Sequence, residues 1–110
     1  MGNRLLNESI IYSKKIDSLS CFQEAMFIRL LVTVDDFGRY YADPQLLKSS
    51  LFPMKEDLTK ASVEDALAKM VSVGLVKTYE VDEKAYLQIC DWSKIHHVRA
   101  FKSQFPGCPE

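Results

Sequence analysis

At 110 residues, 47% of them hydrophobic and 11% aromatic, the chain has the size of one domain and enough apolar material for one core. Its formal net charge is -1, with 14 Lys and Arg against 15 Asp and Glu; the molecule as a whole does not attract polyanions, and any nucleic-acid contact has to rest on a local patch. No run of about 18 apolar residues occurs, which excludes a membrane-spanning helix, and Leu5-Leu6 is followed at once by Asn7-Glu8, unlike a signal peptide.

Residues 1–18 mix apolar pairs (Leu5-Leu6, Ile10-Ile11) with polar residues in no sustained period, and read as an N-terminal arm that partly packs on the domain. From Ser20 the pattern sharpens. Phe22, Ala25, Met26, Ile28, Leu30, Leu31, Val32 and Val34 form an apolar face several turns long, with Ser20 as N-cap and Gln23 three positions on, so a first helix is predicted to end near Asp35-Asp36. Asp36-Phe37-Gly38-Arg39 reads as a turn, because Gly38 tolerates positive φ and the aspartates can bond nearby backbone. A short extended piece follows at residues 39–42.

Asp43 caps a second, short helix with Pro44 at its first position, where a missing N–H costs little. Leu46, Leu47 and Leu51 lie on one side of it, and Phe52-Pro53 ends it, since proline restrains the residue before it. Residues 54–58 are a connector. Thr59 caps a third helix ending near Val73, with Val63, Ala66, Leu67, Met70 and Val71 on the buried face and Lys60, Glu64, Asp65, Ala68 and Lys69 outside. Gly74 closes it as the left-handed residue. Two β-rich runs, 75–81 and 85–92, flank a polar tip of Asp82, Glu83 and Lys84, which is a hairpin. The order helix, short strand, helix, helix, strand, strand predicts an α+β winged helix-turn-helix: a three-helix core with a C-terminal β-hairpin wing over 19–95, followed by an exit segment over 96–110. Another small α+β domain with the same elements is the alternative.

Several stretches resemble the N-terminal domains of phage and prophage replisome organisers and DnaD-like replication-initiation proteins. They are Arg4-Leu5-Leu6-Asn7-Glu8-Ser9-Ile10-Ile11, the acidic glycine turn Asp35-Asp36-Phe37-Gly38-Arg39, and the step Leu51-Phe52-Pro53. The most specific is the hairpin, Gly74-Leu75-Val76-Lys77-Thr78-Tyr79-Glu80-Val81 then Ala85-Tyr86-Leu87-Gln88-Ile89-Cys90-Asp91-Trp92, with Lys94 and His96 after it. Lys102-Ser103-Gln104-Phe105-Pro106 is similar to the segment where such domains pass into a linker. The resemblance implies a DNA-binding domain acting at a replication origin. It further implies that a C-terminal region beyond Glu110 recruits a replication helicase or its loader.

For contact with double-stranded DNA the outward candidates are Lys55, Lys60, Ser62 and Lys69 around the third helix and Lys84 at the wing. Glu56, Asp57, Glu64, Asp65, Glu80, Asp82 and Glu83 outnumber Lys55, Lys60, Lys69, Lys77 and Lys84 over this stretch, so a solvated helix face is the competing reading. Lys94, His96, His97, Arg99 and Lys102 form the one basic patch, with no carboxylate between Ser93 and Gln104. There Phe101 could pack or stack, or the segment could be a plain basic linker. Lys14 and Lys15 join it only if the arm folds back.

Cys21, Cys90 and Cys108 are odd in number and far apart, a usage that fits a reducing, cytoplasmic setting. The spacing of Cys90, His96, His97 and Cys108 does not match zinc sites, and Cys90 reads as a small core residue in a strand. No Gly-rich phosphate loop, nucleophile elbow or His-Glu-x-x-His pair occurs, Asp35-Asp36 reads as cap and turn, and Tyr40, Tyr41 and Trp92 read as core cover. No catalysis, metal or cofactor is expected. Two functions stand open: DNA binding in replication initiation, and a winged helix interaction or homo-oligomerisation module without DNA binding.

Overall fold

In the computed structural model residues 6, 8–90 and 105–107 are described; Trp92, Lys94, His96, His97, Arg99, Phe101, Lys102 and Cys108 lie outside them. The chain opens with a 3-10 turn, Glu8–Tyr12, and a short helix α1, Lys14–Asp17, capped by Ser13. The arm therefore has more regular structure than its sequence predicts, and it is tied down by Ile16 and Leu19, both buried in the core.

The long helix α2, Cys21–Thr33, starts where the sequence places it. Ser20 Oγ accepts from Gln23 N while the Gln23 side chain accepts from Ser20 N, so two otherwise unpaired donors are satisfied reciprocally. It ends at Thr33, short of the aspartates, with Val34 as its cap residue. Met26, Phe27, Leu30 and Leu31 have no exposed surface. Phe27 was absent from the predicted face, whereas Ala25 and Val32, which were on it, are exposed.

Asp35 then shapes the turn into strand β1, Arg39–Tyr41: one carboxylate oxygen accepts from Phe37 N and Arg39 N, and Gly38 sits at φ 76. Helix α3, Pro44–Leu51, begins on the predicted Asp43 cap and stops before Phe52. Leu47 and Leu51 are buried, but Leu46 is 43% exposed. Phe52 is itself core, stacked on Phe22 at 5.3 Å with the Arg29 guanidinium 4.5 Å from its ring centroid. Arg29 also donates to the Leu51 carbonyl.

Helix α4, Lys60–Ser72, is capped by Thr59. Its end is closed by Gly74 at φ 85: Gly74 N donates to Val71 O and Leu75 N to Met70 O, the paired bonds of a left-handed C-terminal cap. Val63, Ala66, Leu67 and Met70 face the core, while Val71, predicted with them, is 39% exposed. Strands β2, Val76–Val81, and β3, Lys84–Ile89, form a hairpin whose tip is the pair Asp82-Glu83, both at positive φ. The tip is one residue shorter than predicted because Lys84 pairs with Val81 inside the ladder.

The three strands make one antiparallel sheet in the order β1-β3-β2. Its inner face carries Val76, Leu87 and Ile89 onto α2, α3 and α4, giving an α+β fold with four α-helices among the described residues. The outer face is not bare. Tyr41, Tyr86 and Tyr79 occupy one register row across the strands, with ring centroids 5.8 and 6.0 Å apart. Arg39, Gln88 and Lys77 form the next row. Tyr40 points to the inner side, packed against the core as expected, but Tyr41 does not.

Candidate nucleic-acid interface

Helices α3 and α4 and the connector between them hold most of the described candidates. Lys60 stands at the first position of α4 and is exposed; Lys69, about two and a half turns along, is half-buried. Glu64, Asp65 and Ala68 are exposed between them, so the cations are separated by two carboxylates along the outer side of the helix. Ser62 is half-buried, and its hydroxyl is bonded to Thr59 Oγ1 at 2.9 Å as part of the cap, which makes it a positioning group more than a reading one.

Lys55 is exposed on the connector and lines two open clefts. One, about 280 Å³, brings it together with Gln45, Lys48 and Ser49 of α3 and with Glu56. The other, about 510 Å³, sets it beside Phe22, Met54 and Asp57 and is the more acidic of the two. Lys48 is a cation the sequence reading passed over. The signal was present: Gln45, Lys48 and Ser49 fall at spacings of three and four, a polar stripe on a helix whose other side holds Leu47 and Leu51.

Lys84 is exposed at the start of β3, beside the hairpin tip, and shares that end with Asp82 and Glu83. Lys14 is exposed on α1, and Lys15 is directed to the end of α4, where its Nζ donates to the Gly74 carbonyl at 3.4 Å, a favourable place for a cation at a helix C-terminus. The remaining candidates, Lys94, His96, His97, Arg99 and Lys102, lie outside the described residues. Before them Cys90 N–H bonds Leu75 O at the end of the hairpin, and after them Phe105 packs against the rings of Tyr41 and Tyr86.

Among the described residues no group of three or more His, Cys, Asp or Glu is placed to hold a metal ion, and no helix is long and apolar enough to cross a membrane. Comparison with models of protein families, with curated proteins and with solved structures finds no match for this chain.

Proposed function

We propose that the chain is a winged helix-turn-helix domain that binds double-stranded DNA without catalysis, in the manner of a phage-type replication initiator. The observation that carries the reading is topological. The order α2, β1, α3, α4, β2, β3 with strands arranged β1-β3-β2 supports a winged helix reading, in which a helix after a turn enters a major groove beside a hairpin wing. On this reading α4 approaches the groove through Lys60 and Lys69. Lys48 and Lys55 hold phosphates on the α3 side and Lys84 holds one at the wing, with Lys94, Arg99 and Lys102 adding sequence-local positive charge. The replication helicase or its loader is engaged by a region outside this sequence, and the setting is cytoplasmic.

A second reading, an interaction module that binds no DNA, is favoured by Glu64 and Asp65 in the middle of the exposed side of α4. Titration of labelled duplex at two salt concentrations, with solution mass recorded alongside, separates them. DNA binding gives salt-steep affinity, and removing a phosphate-contacting lysine by Lys55→Ala or Lys48→Ala lowers the salt slope by about 1. No retardation of duplex even at low salt, together with concentration-dependent mass, refutes the DNA reading.

A further inference from the structure

We propose that the outer face of the sheet is a binding site for a Phe-Pro-Gly peptide segment, occupied in cis by this chain's own Phe105, Pro106 and Gly107. It is a separate surface from the α3–α4 side, and the duplex titration neither supports nor removes it.

The starting point is a burial that the core does not explain. Tyr86 is only 8% exposed, yet it is not among the residues of the helix-facing core cluster. It alternates on β3 with Leu87, which is in that cluster, so its ring lies on the opposite side of the sheet. What covers it there is its own row, Tyr41 and Tyr79, and the ring of Phe105 at 6.2 Å. Phe105 also meets Tyr41 edge-on at 5.0 Å, so tyrosines of two adjacent strands form its seat on this face, and it reaches the edge of the inward-packed Tyr40 at 5.7 Å.

The backbone of the segment is held as well. Tyr79 Oη donates to the Pro106 carbonyl at 2.6 Å, and Arg39 Nη1 donates to the Phe105 carbonyl at 3.4 Å. Among the described residues Arg39 Nε is buried with no hydrogen-bond partner. The third residue, Gly107, lies close against the same guanidinium: a Cβ there would stand 3.3 Å from Arg39 Nη2 and 3.6 Å from Cζ and would press on the group that holds the Phe105 carbonyl. An aromatic seat and a hydroxyl aimed at the carbonyl of a proline are elements by which aromatic grooves read short proline-containing peptides.

None of these contacts depends on the segment being covalently attached. A free peptide of the same chemistry fits the same seat and must displace the resident one, whose attachment gives it an effective concentration in the millimolar range.

The probe is a capped synthetic peptide, Lys-Ser-Gln-Phe-Pro-Gly, titrated into the full 110-residue chain while two-dimensional NMR follows the tyrosine rings. With Phe105→Ala in the host, saturable shifts at Tyr41, Tyr79 and Tyr86 are expected, and binding to the unaltered chain should be at least about tenfold weaker. Adding Tyr79→Phe to that host should weaken the peptide several-fold, and a peptide with alanine in place of its phenylalanine should give no shifts. If Phe105→Ala disturbs the fold by circular dichroism, Gly107→Ala serves instead: it crowds Arg39, leaves every ring in place, and should raise peptide affinity at least about threefold over the unaltered chain. Equal affinity in opened and unaltered hosts overturns the proposal. So does silence in both, or an oligothymidine that moves these rings where the peptide does not, which would make the face a base-stacking platform.

Discussion

Neighbouring residues on β3 face opposite sides of the sheet, so truncating each in turn measures how far the outer face is sealed. Leu87 has no exposed surface among the core side chains, and Leu87→Ala should cost about 3 kcal/mol, within the usual range of about 2–5 for such a truncation. On an ordinary half-solvated antiparallel sheet the next residue would cost under about 1 kcal/mol. Here Tyr86 is 8% exposed between two tyrosines and Phe105. A buried aromatic removes roughly 150–250 Å² from water, or about 4–6 kcal/mol at about 25 cal/mol per Å². Alanine keeps part of this and the outer face can relax toward water, so Tyr86→Ala should cost about 2–3 kcal/mol, comparable to the core change.

A double-mutant cycle assigns that cost. If Phe105 covers Tyr86, then Tyr86→Ala and Phe105→Ala are coupled by about 0.5–1.5 kcal/mol, the range of an aromatic pair. Urea unfolding of the four proteins, followed by far-UV circular dichroism with a common slope, gives the numbers. A Tyr86→Ala cost under about 1 kcal/mol beside a normal Leu87→Ala cost, or additivity of the two outer-face changes within about 0.3 kcal/mol, refutes the covered face.

Smaller perturbations test the local devices. Ser20→Ala removes one half of the α2 capping box and should destabilise by about 1 kcal/mol, a fall of roughly 5 °C in Tm in a domain of this size. Gly74→Ala at φ 85 should cost at least about 1 kcal/mol; the same penalty should persist in a Lys15→Ala background, since the nearest atoms are the flexible end of Lys15 and the strain is in the backbone. Glu83→Gly should stabilise by a few tenths of a kcal/mol or more in the same thermal melts, because Glu83 is held at φ 67 in a two-residue hairpin tip that favours glycine there.

The helix starts were legible because their signals are local. Ser20 with Gln23, Asp43 with Pro44, and Thr59 each satisfy donors within three residues, and Gly38 and Gly74 mark positions that need positive φ. The hairpin tip misled for the opposite reason: Asp82 and Glu83 adopt positive φ without a glycine to announce it. Apolar periodicity overstated burial at Val32, Leu46 and Val71, since three helices on one small sheet cannot enclose every apolar residue their faces present. Lys48 was passed over because charge was sought on α4, its connector, the wing and the exit segment, while α3 showed chiefly its apolar side. The docking of Phe105 and Pro106 could not be read at all, because Tyr41 and Tyr86, which meet the phenylalanine ring, and Tyr79, which bonds the Pro106 carbonyl, come together only through strand register.

That register separates the two surfaces thermodynamically. Lys60, Lys69, Lys48 and Lys55 belong to α3, α4 and their connector, on the helical side of the sheet, whereas the tyrosine row projects from its other side. A ligand of either surface stabilises only the folded state, by an amount that grows with its concentration over its dissociation constant. A peptide on the tyrosines replaces the contacts of Phe105 and Pro106 one for one, so its stabilising effect on the unaltered chain is reduced by the segment it displaces; duplex on the helices displaces nothing among the described residues and its effect should appear in full. With Phe105→Ala that reduction vanishes for the peptide and stays unchanged for duplex. Hydrogen exchange should place the added protection on β1 and β3 in the first case and on α3 and α4 in the second. Protection of the strands by duplex with Phe105 in place would mean that the two faces are coupled through the sheet.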